Sequence, residues 1–345
     1  MFDFTFLDLH LIWFILIGIL FAGYAVLDGF DLGVGALHLL TKTDEERRIM
    51  MNSIGPVWDG NEVWLVTAGG ALFAAFPQVY ATLASGFYLA VMLLLFSLIF
   101  RAVAIEFRSK QKRPAWRGFW DTAFSVSSIL ASFVLGVALG NLVWGLPLDA
   151  NKIFRGTFLD LFNPYTILVG ITTVALFMMH GVIYLVLKTQ GDFQKRIRQR
   201  WVNNCIIFFI ICYAILTMAT LVYLPFMVHK LREYPFLFII PLLNMLAVAN
   251  IPREIFHGRD FRAFLSSCAA VFLLIVLFAG GIFPFWAASR PDPVHGLTIY
   301  NAASSEKSLN YMFNIALLGM PFVIGYTSAI YWIFRGKVKI TKDSY

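Results

Sequence analysis

The chain has 345 residues, of which 59% are hydrophobic and 14% are charged, and its mean hydropathy is +0.75. Soluble domains carry about 25% charged residues, so the composition excludes a soluble enzyme or binding module and predicts a polytopic membrane protein. The net charge of +7 does not indicate nucleic-acid binding, because the basic residues lie in short loops between apolar segments, where membrane proteins carry them.

Nine apolar segments are predicted to form membrane-spanning helices, each of which needs about 20 residues. In chain order they cover about residues 8–27, 60–77, 80–100, 121–143, 164–187, 203–226, 235–251, 263–286 and 311–334. Only Pro77 and Gln78 interrupt the second and third segments, which predicts a tight hairpin there. We therefore expect an all-α protein with one transmembrane domain over residues 1–345.

Basic residues cluster after the third, fifth and seventh predicted helices and again in the C-terminal tail. An even number of predicted helices separates these regions, so all of them lie on one side of the membrane. The positive-inside rule makes that side the cytoplasm, which places the N-terminus outside and the C-terminus in the cytoplasm. The connection between the first two helices is then cytoplasmic. Within it, Thr43 and Glu46 fit a capping box that predicts a short surface helix ending at Ile54.

Two acids follow the first predicted helix. Asp28 and Asp31 share a helix face, and a carboxylate near the hydrocarbon costs about 2.5–3.5 kcal/mol. They are either polar residues at a helix exit or functional groups, and the apolar neighbours of Asp31 favour a function for that residue. Gly29 and Gly33 form a GxxxG motif, which predicts close approach of another helix backbone.

Asp59 and Glu62 begin the second predicted helix and have two interpretations. Asp59 can cap the helix while Glu62 bonds back to the cap. The flanking indoles of Trp58 and Trp64 are either interface anchors or the walls of a pocket for a ring-shaped ligand.

Glu106 and His180 each leave two interpretations open. Glu106 lies five residues after Arg101. It either forms a salt bridge at the membrane edge or acts as an acid at a proton entrance. His180 lies inside the fifth predicted helix, but the other five histidines lie at helix ends or in loops, which excludes a bundle with paired haem-ligating histidines. A hydrogen bond between helices is the favoured role for His180. No cysteine spacing or residue cluster in the sequence predicts a metal site.

These residues describe either a proton-coupled carrier or a subunit that delivers protons to chemistry elsewhere. Five stretches of the sequence go further, because they resemble subunit II of cytochrome bd-type quinol oxidases. They are GFDLGVG (29–35), ERRIMMNSIGPVWDGNEVWLVTAGGALFAAFPQVYA (46–81), FRAVAIEFRSK (100–110), FAGGIFPFW (278–286) and AASSEKSLNYM (302–312). The resemblance covers essentially the whole chain. One departure is the stretch at about 227–234, which is much shorter than in some members.

The resemblance implies a haem-free subunit of a terminal oxidase in the bacterial cytoplasmic membrane, built as two four-helix bundles plus one extra helix. Such a complex oxidises quinol and reduces O₂ to water, and it generates proton motive force without pumping. Haem b and haem d belong to subunit I, which this chain stabilises. Small single-helix subunits, lipids and a structural quinone are further partners that the resemblance allows. The competing interpretation, a proton-coupled secondary transporter, fits less well because the helix interiors contain few interruptions.

The resemblance also assigns expected roles to individual residues. Asp31, Trp58 and Asp59 match residues of a polar cavity that holds a structural quinone or lies beside a proton route. Trp64 matches a residue near an oxygen path. Glu106 stands where some members have Asp. We therefore expect Asp31, Asp59 and Glu106 to serve a proton route on the cytoplasmic side.

Overall fold

The computed structural model describes residue 4, residues 6–226 and residues 233–340. Most of the stretch at about 227–234 therefore lies outside the described residues. The α-helices are α1 (Leu9–Leu37), α2 (Asp44–Ile54), α3 (Trp58–Ala75), α4 (Pro77–Gly86), α5 (Tyr88–Phe107), α6 (Pro114–Trp144), α7 (Pro164–Lys188), α8 (Gly191–Arg196), α9 (Val202–Tyr223), α10 (Ile239–Phe256), α11 (Asp260–Ile282) and α12 (Glu306–Ile333). Two short strands, β1 (Phe285–Ala287) and β2 (Leu297–Thr298), pair antiparallel.

Eight helices of the described residues are long and apolar enough to cross a membrane, namely α1, α5, α6, α7, α9, α10, α11 and α12. The helix α3 is more polar, because Asp59, Asn61 and Glu62 lie in its first two turns. The predicted all-α membrane fold is confirmed. The count of nine helices, the single domain, the two bundles and the sidedness stay predictions, and we use the predicted cytoplasmic side to orient the description.

The first helix is longer than predicted. It ends at Leu37 rather than at residue 27, so Asp28 and Asp31 lie inside it and not at its exit. The cause is packing: α3, α6, α7 and α11 surround α1, so its last turns are covered by protein rather than by headgroups. The glycines allow this approach, because a Cβ on Gly33 would overlap the carbonyl oxygen of Phe177. The predicted close contact at the GxxxG motif is confirmed.

The predicted tight hairpin between the second and third helices is wrong. A helix of ten residues, α4, stands between α3 and α5, and the span predicted at 80–100 lies at Tyr88–Phe107. Pro77 begins α4 because its fixed backbone suits the first position of a helix. The Thr82 hydroxyl of α4 donates a hydrogen bond to the Lys152 carbonyl oxygen at 3.0 Å, which ties α4 to the loop between α6 and α7. The other predicted spans overlap observed helices.

Two further helices join the core to different extents, and α2 buries Met50, Met51 and Ile54 in it. The predicted surface helix is present as α2, where the Thr43 hydroxyl accepts from the Glu46 N–H at 3.2 Å and the Glu46 carboxylate accepts from the Lys42 N–H at 2.8 Å. The helix α12 lies at the periphery. Its outer end is tied by a 3.0 Å hydrogen bond from the Trp13 indole to the Leu309 carbonyl oxygen. Its middle is open, since all six residues of 321–326 are exposed.

Candidate functional site

Arg101 of α5 brings acids of two other helices together. Its Nη2 atom donates to Asp28 Oδ1 of α1 and to Glu62 Oε1 of α3, both at 2.5 Å. The side chains of Arg101 and Asp28 are fully buried, whereas that of Glu62 is 21% exposed. Hydrogen bonds between charged groups are short and strong, so this junction holds three helices together near their cytoplasmic ends.

Asn61 of α3 connects the second acid of α1 to α12. Its Nδ2 atom donates to Asp31 Oδ2 at 2.8 Å and to the Leu27 carbonyl oxygen at 3.0 Å, while its Oδ1 atom accepts from the Tyr331 hydroxyl at 2.8 Å. We call the whole group the Arg101 cluster, which comprises Asp28, Asp31, Asn61, Glu62, Arg101 and Tyr331.

The Arg101 cluster is not saturated with hydrogen bonds. Among the described residues, buried polar atoms without a hydrogen-bond partner include Asp28 Oδ2, Asp31 Oδ1, Arg101 Nε and Nη1, and the Tyr24 hydroxyl. Most buried polar groups in proteins are paired. The cluster also holds three carboxyl groups and one guanidinium group, so it is electrically neutral only when it binds two protons. It can therefore take up protons or further hydrogen-bonding groups.

A second polar cluster lies nearer the cytoplasm, around Asp121 of α6. Asp121 Oδ1 accepts from His38 Nε2 at 2.6 Å and from Arg108 Nε at 2.5 Å. Asp121 Oδ2 accepts from Arg47 Nη1 at 2.8 Å and from Arg108 Nη2 at 3.2 Å. The donors come from α2 and from the ends of α1 and α5, so one carboxylate joins four helices.

Asp44 of α2 extends this cluster to the surface. Its two oxygens accept from Arg108 Nη2 and from Arg117 Nη1, each at 2.7 Å. Burial raises the pKa of Asp44, but the hydrogen bond from Arg108 and the charges of Arg108 and Arg117 outweigh this effect and hold the pKa below its ordinary value. We call this group the Asp121 cluster, which comprises His38, Asp44, Arg47, Arg108, Arg117 and Asp121.

The structure separates the residues predicted to form one polar cavity. Asp31 is buried on α1, and Trp58 is 9% exposed within the apolar core. Asp59 is exposed on the surface of α3. The helix period explains why Asp59 is exposed. Asn61 lies about 200° further around the helix axis than Asp59, so Asn61 rather than Asp59 faces inward.

The capping interpretation of the α3 start is wrong. Val57 occupies the cap position, and the Glu62 carboxylate bonds to Arg101 instead of returning to the cap. Glu106 lies exposed in the last turn of α5, on the cytoplasmic side. Arg101 itself pairs with Asp28 and Glu62, and both interpretations of Glu106 stay predictions.

Two other residues discussed from the sequence lie near α1. Trp64 is half-buried, and its ring packs against Gly23 so closely that a Cβ there would overlap it. His180 of α7 bonds through Nδ1 to the Ser267 hydroxyl at 2.8 Å and through Nε2 to the Val26 carbonyl oxygen at 2.9 Å. The predicted hydrogen bond between helices is confirmed. Because both ring nitrogens are engaged, His180 does not fit a haem ligand.

An apolar cavity of about 520 Å³ occupies the outer half of the helices, between α1, α7, α9 and α11. Its walls include Phe14, Leu176, Phe177, Leu216 and Trp286, and Tyr24 also contributes. Tyr24 is one turn from Asp28 on α1, so the cavity reaches toward the Arg101 cluster. The volume lies in the range of small-molecule sites and suits an apolar chain. Within the described ranges, no group of three or more His, Cys, Asp or Glu residues is placed to hold a metal ion.

Sequence reasoning missed Asn61, His38, Asp121 and Tyr331. Asn61 had a usable signal, because it stands three residues after Trp58 and so shares its inward face. Asp121 had a weaker signal, since it stands at the start of a predicted span. In the structure α6 begins earlier, at Pro114, and Asp121 is buried in its second turn.

Known proteins match this chain along nearly its full length. The family model described as cytochrome bd terminal oxidase subunit II matches residues 9–334. The chain is 36% identical over 366 residues to cytochrome bd-I ubiquinol oxidase subunit 2 of Escherichia coli (strain K12), covering 97% of this chain and 96% of the relative. It is 38% identical over 335 residues to cytochrome bd ubiquinol oxidase subunit 2 of Bacillus subtilis (strain 168), covering 96% and 97%.

A solved structure of bd oxidase from Geobacillus thermodenitrificans has the same fold, with a TM-score of 0.78 at 16% sequence identity over 95% of this chain and 99% of that chain. The family model and the two relatives, each more than 30% identical over nearly the whole length, decide the family. The chain belongs to the cytochrome bd terminal oxidase subunit II family.

Proposed function

We propose that this chain is the haem-free subunit II of a quinol oxidase and that its Arg101 cluster supplies cytoplasmic protons for the reduction of O₂ to water. Its family and the eight apolar helices among its described residues make it a multi-pass protein of the bacterial cytoplasmic membrane, where subunit 1 is its partner. Haems b and d, held by that partner, supply the redox chemistry. Consumption of protons from the cytoplasm and release of quinol protons outside generate proton motive force without pumping.

The observation that carries the proposal is the excess of buried acid around Arg101. Asp28 and Asp31 are fully buried, and each keeps one carboxylate oxygen without a hydrogen-bond partner among the described residues. Acids at this depth are costly, and a purely structural ion pair needs one acid rather than three. A group that must bind and release protons explains both the number of acids and the free oxygens.

The arrangement of the acids supports a route from the cytoplasm. Asp59 and Glu106 are exposed at the cytoplasmic ends of α3 and α5, where they collect protons. Glu62 is partly exposed and shares Arg101 Nη2 with Asp28, so Arg101 holds the two acids close together while it keeps its own proton. Asp31 lies one turn nearer the cytoplasmic end of α1 on the same face, and its proton is held at the free oxygen.

Subunit I covers two exposed surfaces of this chain in the proposal. One face of α3 is exposed along its whole length and consists largely of small residues: Gly60, Val63, Thr67, Gly70 and Ala74. Small residues let a neighbouring helix approach closely, so this face suits contact with a helix of subunit I. The exposed residues 321–326 of α12 cover more than one full turn, so the partner also packs against the open middle of that helix.

The interface has a simple test. Gly70→Leu places a large side chain on the exposed face of α3, and we expect it to prevent co-purification of the haem-bearing subunit. Gly118→Leu is the matched control, because a Cβ added at either glycine would have no neighbour within 4 Å. Normal assembly of the Gly70 variant would show that subunit I docks elsewhere.

The apolar cavity fits the tail of a structural quinone, with Tyr24 at the inner end offering a hydroxyl to a polar head. Asp31, Trp58 and Asp59 do not face one common space, so we assign the tail to the walls of this cavity. Such a quinone, when bound, adds a redox-active ring to the complex. Trp64 remains the oxygen-path candidate, since the next residue, Leu65, lines the same cavity.

The decisive variant for the proton role is Asp31→Asn in the assembled oxidase. We expect a normal haem spectrum and a loss of quinol-dependent O₂ uptake of about tenfold or more, since a positioned proton donor contributes at least this much. Asp59→Asn should have a smaller effect, because an exposed acid is more easily replaced by water.

Asp160→Asn is the control, because this exposed acid caps an outer turn through a 2.6 Å hydrogen bond from the Thr157 N–H. Normal turnover of the Asp31 variant would disprove the proton role. A purified chain without haem that transports a substrate alone would instead support the competing transporter class.

A further inference from the structure

We infer that Tyr331 is a positioning residue for Asp31: through the Asn61 amide, its hydroxyl couples the position of α12 to the hydrogen bonding of the buried acid. The inference rests on the proposed proton role of Asp31. It concerns a residue of the peripheral helix, outside the group of acids that carries the proton. Three features of the structure support it.

The first feature is that the Asn61 amide has one permitted orientation. Its NH₂ group donates to the Leu27 carbonyl oxygen at 3.0 Å and to Asp31 Oδ2 at 2.8 Å. A flipped amide would place its oxygen against a backbone carbonyl, which can only accept. The Asn61 oxygen must therefore face Tyr331, and the Tyr331 hydroxyl must donate to it at 2.8 Å.

The second feature is that the two carboxylate oxygens of Asp31 differ in their hydrogen bonding. Oδ2 is occupied by Asn61, whereas Oδ1 is buried and has no partner among the described residues. The Asn61 amide thus decides which oxygen remains free for a proton. Without the Tyr331 hydroxyl, the amide loses the hydrogen bond that fixes its oxygen, and its hold on Oδ2 weakens.

The third feature is the weak packing of α12. Its outer end is buried around Leu309 and its middle is exposed, while Ile330 and Tyr331 return to the apolar core at the inner end. The chain after α12 is held on α7, where the Val338 N–H donates to the Lys188 carbonyl oxygen at 2.9 Å. Because α12 is attached at its two ends and exposed between them, a helix that packs against its middle can shift its position.

The hydrogen bond between Tyr331 and Asn61 depends on the inner end of α12 being seated against α3, and it is formed at 2.8 Å in this chain alone. Contact of subunit I with α12 would therefore act on Asp31 by holding or shifting this hydrogen bond.

The test compares two tyrosine variants in the purified, complete oxidase. Tyr331→Phe keeps the ring and removes the hydroxyl. Tyr165→Phe is the matched control, because Tyr165 is 7% exposed and its hydroxyl lies 3.1 Å from the Thr220 hydroxyl, at the outer ends of α7 and α9. Turnover is measured against pH, and the carboxyl C=O stretch of Asp31 is assigned by its loss in Asp31→Asn.

We expect Tyr331→Phe to assemble with normal haem content and to raise the frequency of the Asp31 carboxyl band. Its pH profile should move toward higher pH by about one unit, because the ionised carboxylate has lost part of a hydrogen bond. Tyr165→Phe should leave the band and the pH profile unchanged. In the Asp31→Asn background, Tyr331→Phe should have no further effect on the profile.

An unchanged band and pH profile in Tyr331→Phe, with Asp31→Asn still impaired, would overturn this inference and leave the proposed function intact. A silent Asp31→Asn would instead overturn the proposed function and the inference with it. If Tyr331→Phe assembles poorly, Asn61→Ala tests the same chain at its next link and should shift the band in the same direction, and an unshifted band there would overturn the inference.

Discussion

The Arg101 cluster and the Asp121 cluster both involve α1 and α5 but balance their charges in opposite ways. Arg101 lies on α5 and Arg108 directly follows its last residue, so the two are seven residues apart, about 10 Å along the helix axis. The Asp121 cluster contains three arginines and two acids, and all four carboxylate oxygens accept hydrogen bonds. The Arg101 cluster contains one arginine and three acids, and two of its carboxylate oxygens have no partner among the described residues.

The two clusters are therefore expected to respond differently when their charge balance is disturbed. A guanidinium group keeps its charge inside a protein, so an arginine that loses its acid remains a buried cation. A carboxylate that loses its arginine can bind a proton and become neutral. The Asp121 cluster is therefore built as a clamp, whereas the Arg101 cluster is built to change its protonation.

The largest expected effect comes from Asp121→Asn. It leaves Arg108 buried with only Asp44 as a partner, and loss of one member of a buried pair costs about 3 kcal/mol or more. We expect little assembled oxidase, measured as haem recovered with the tagged subunit. The control is Asp192→Asn, since the Asp192 side chain is 99% exposed. An Asp121 variant that assembles normally but does not turn over would reverse the roles of the two clusters.

Arg101→Gln should have a smaller effect on assembly and a larger one on turnover. The three acids around it can bind protons, so we expect the complex to form with its haems. Turnover should fall about tenfold because the acids then hold their protons too tightly to release them. Arg108→Gln is the comparison, and it should fail mainly in assembly, because it removes the three hydrogen bonds that join Asp121 and Asp44 to the end of α5. Equal assembly defects in the two variants would show that both arginines serve as clamps.

The sequence predicted the membrane fold and most helices because long apolar segments report burial in lipid directly. It misplaced the end of α1 because Asp28 and Asp31 are polar, and hydropathy cannot tell an acid exposed to headgroups from one paired inside protein. It missed α4 for a related reason: an apolar helix on the outer side has the same composition as the start of a span.

The candidate site was predicted in part. Asp31 and the region of Trp58 were found, because acids in apolar surroundings are unusual. The partners that decide their chemistry are distant in sequence, however. Arg101 is 73 residues from Asp28, and Tyr331 is 270 residues from Asn61. Local spacing carries no information about such pairs, so they become visible only in the fold.

The pH dependence of the stability of α2 tests the Asp121 cluster independently of the Arg101 cluster. Burial raises the pKa of Glu46, but hydrogen bonds from Arg196 and the Lys42 N–H outweigh it, and the pKa values of Glu46 and Asp44 both lie below their ordinary values of 4.5 and 3.8. Their ionised forms therefore stabilise the folded state above about pH 4.5, and this stabilisation is lost as the pH falls through the lowered values. The rate of backbone amide hydrogen exchange over residues 44–54 should rise in that pH range. The double variant Glu46→Gln with Asp44→Asn should make this rate less dependent on pH. A rise already present near neutrality would show that other groups hold α2.

The smallest expected effect is that of Arg117→Gln, and its value lies in the comparison with Arg108. Both arginines bond to Asp44 at 2.7 Å, but the side chain of Arg108 is fully buried and that of Arg117 is 26% exposed. Exposed ion pairs contribute about 0.2–1 kcal/mol, so the thermal midpoint of the complex should fall by less than about 4 °C. The two arginines share Asp44 and the distance to it, but Arg108 is buried and also bonded to Asp121, so the two variants compare a buried arginine that pairs with two acids with a more exposed one. A loss for Arg117→Gln as large as that for Arg108→Gln would mean that the cluster depends on its total charge rather than on the depth at which each charge lies.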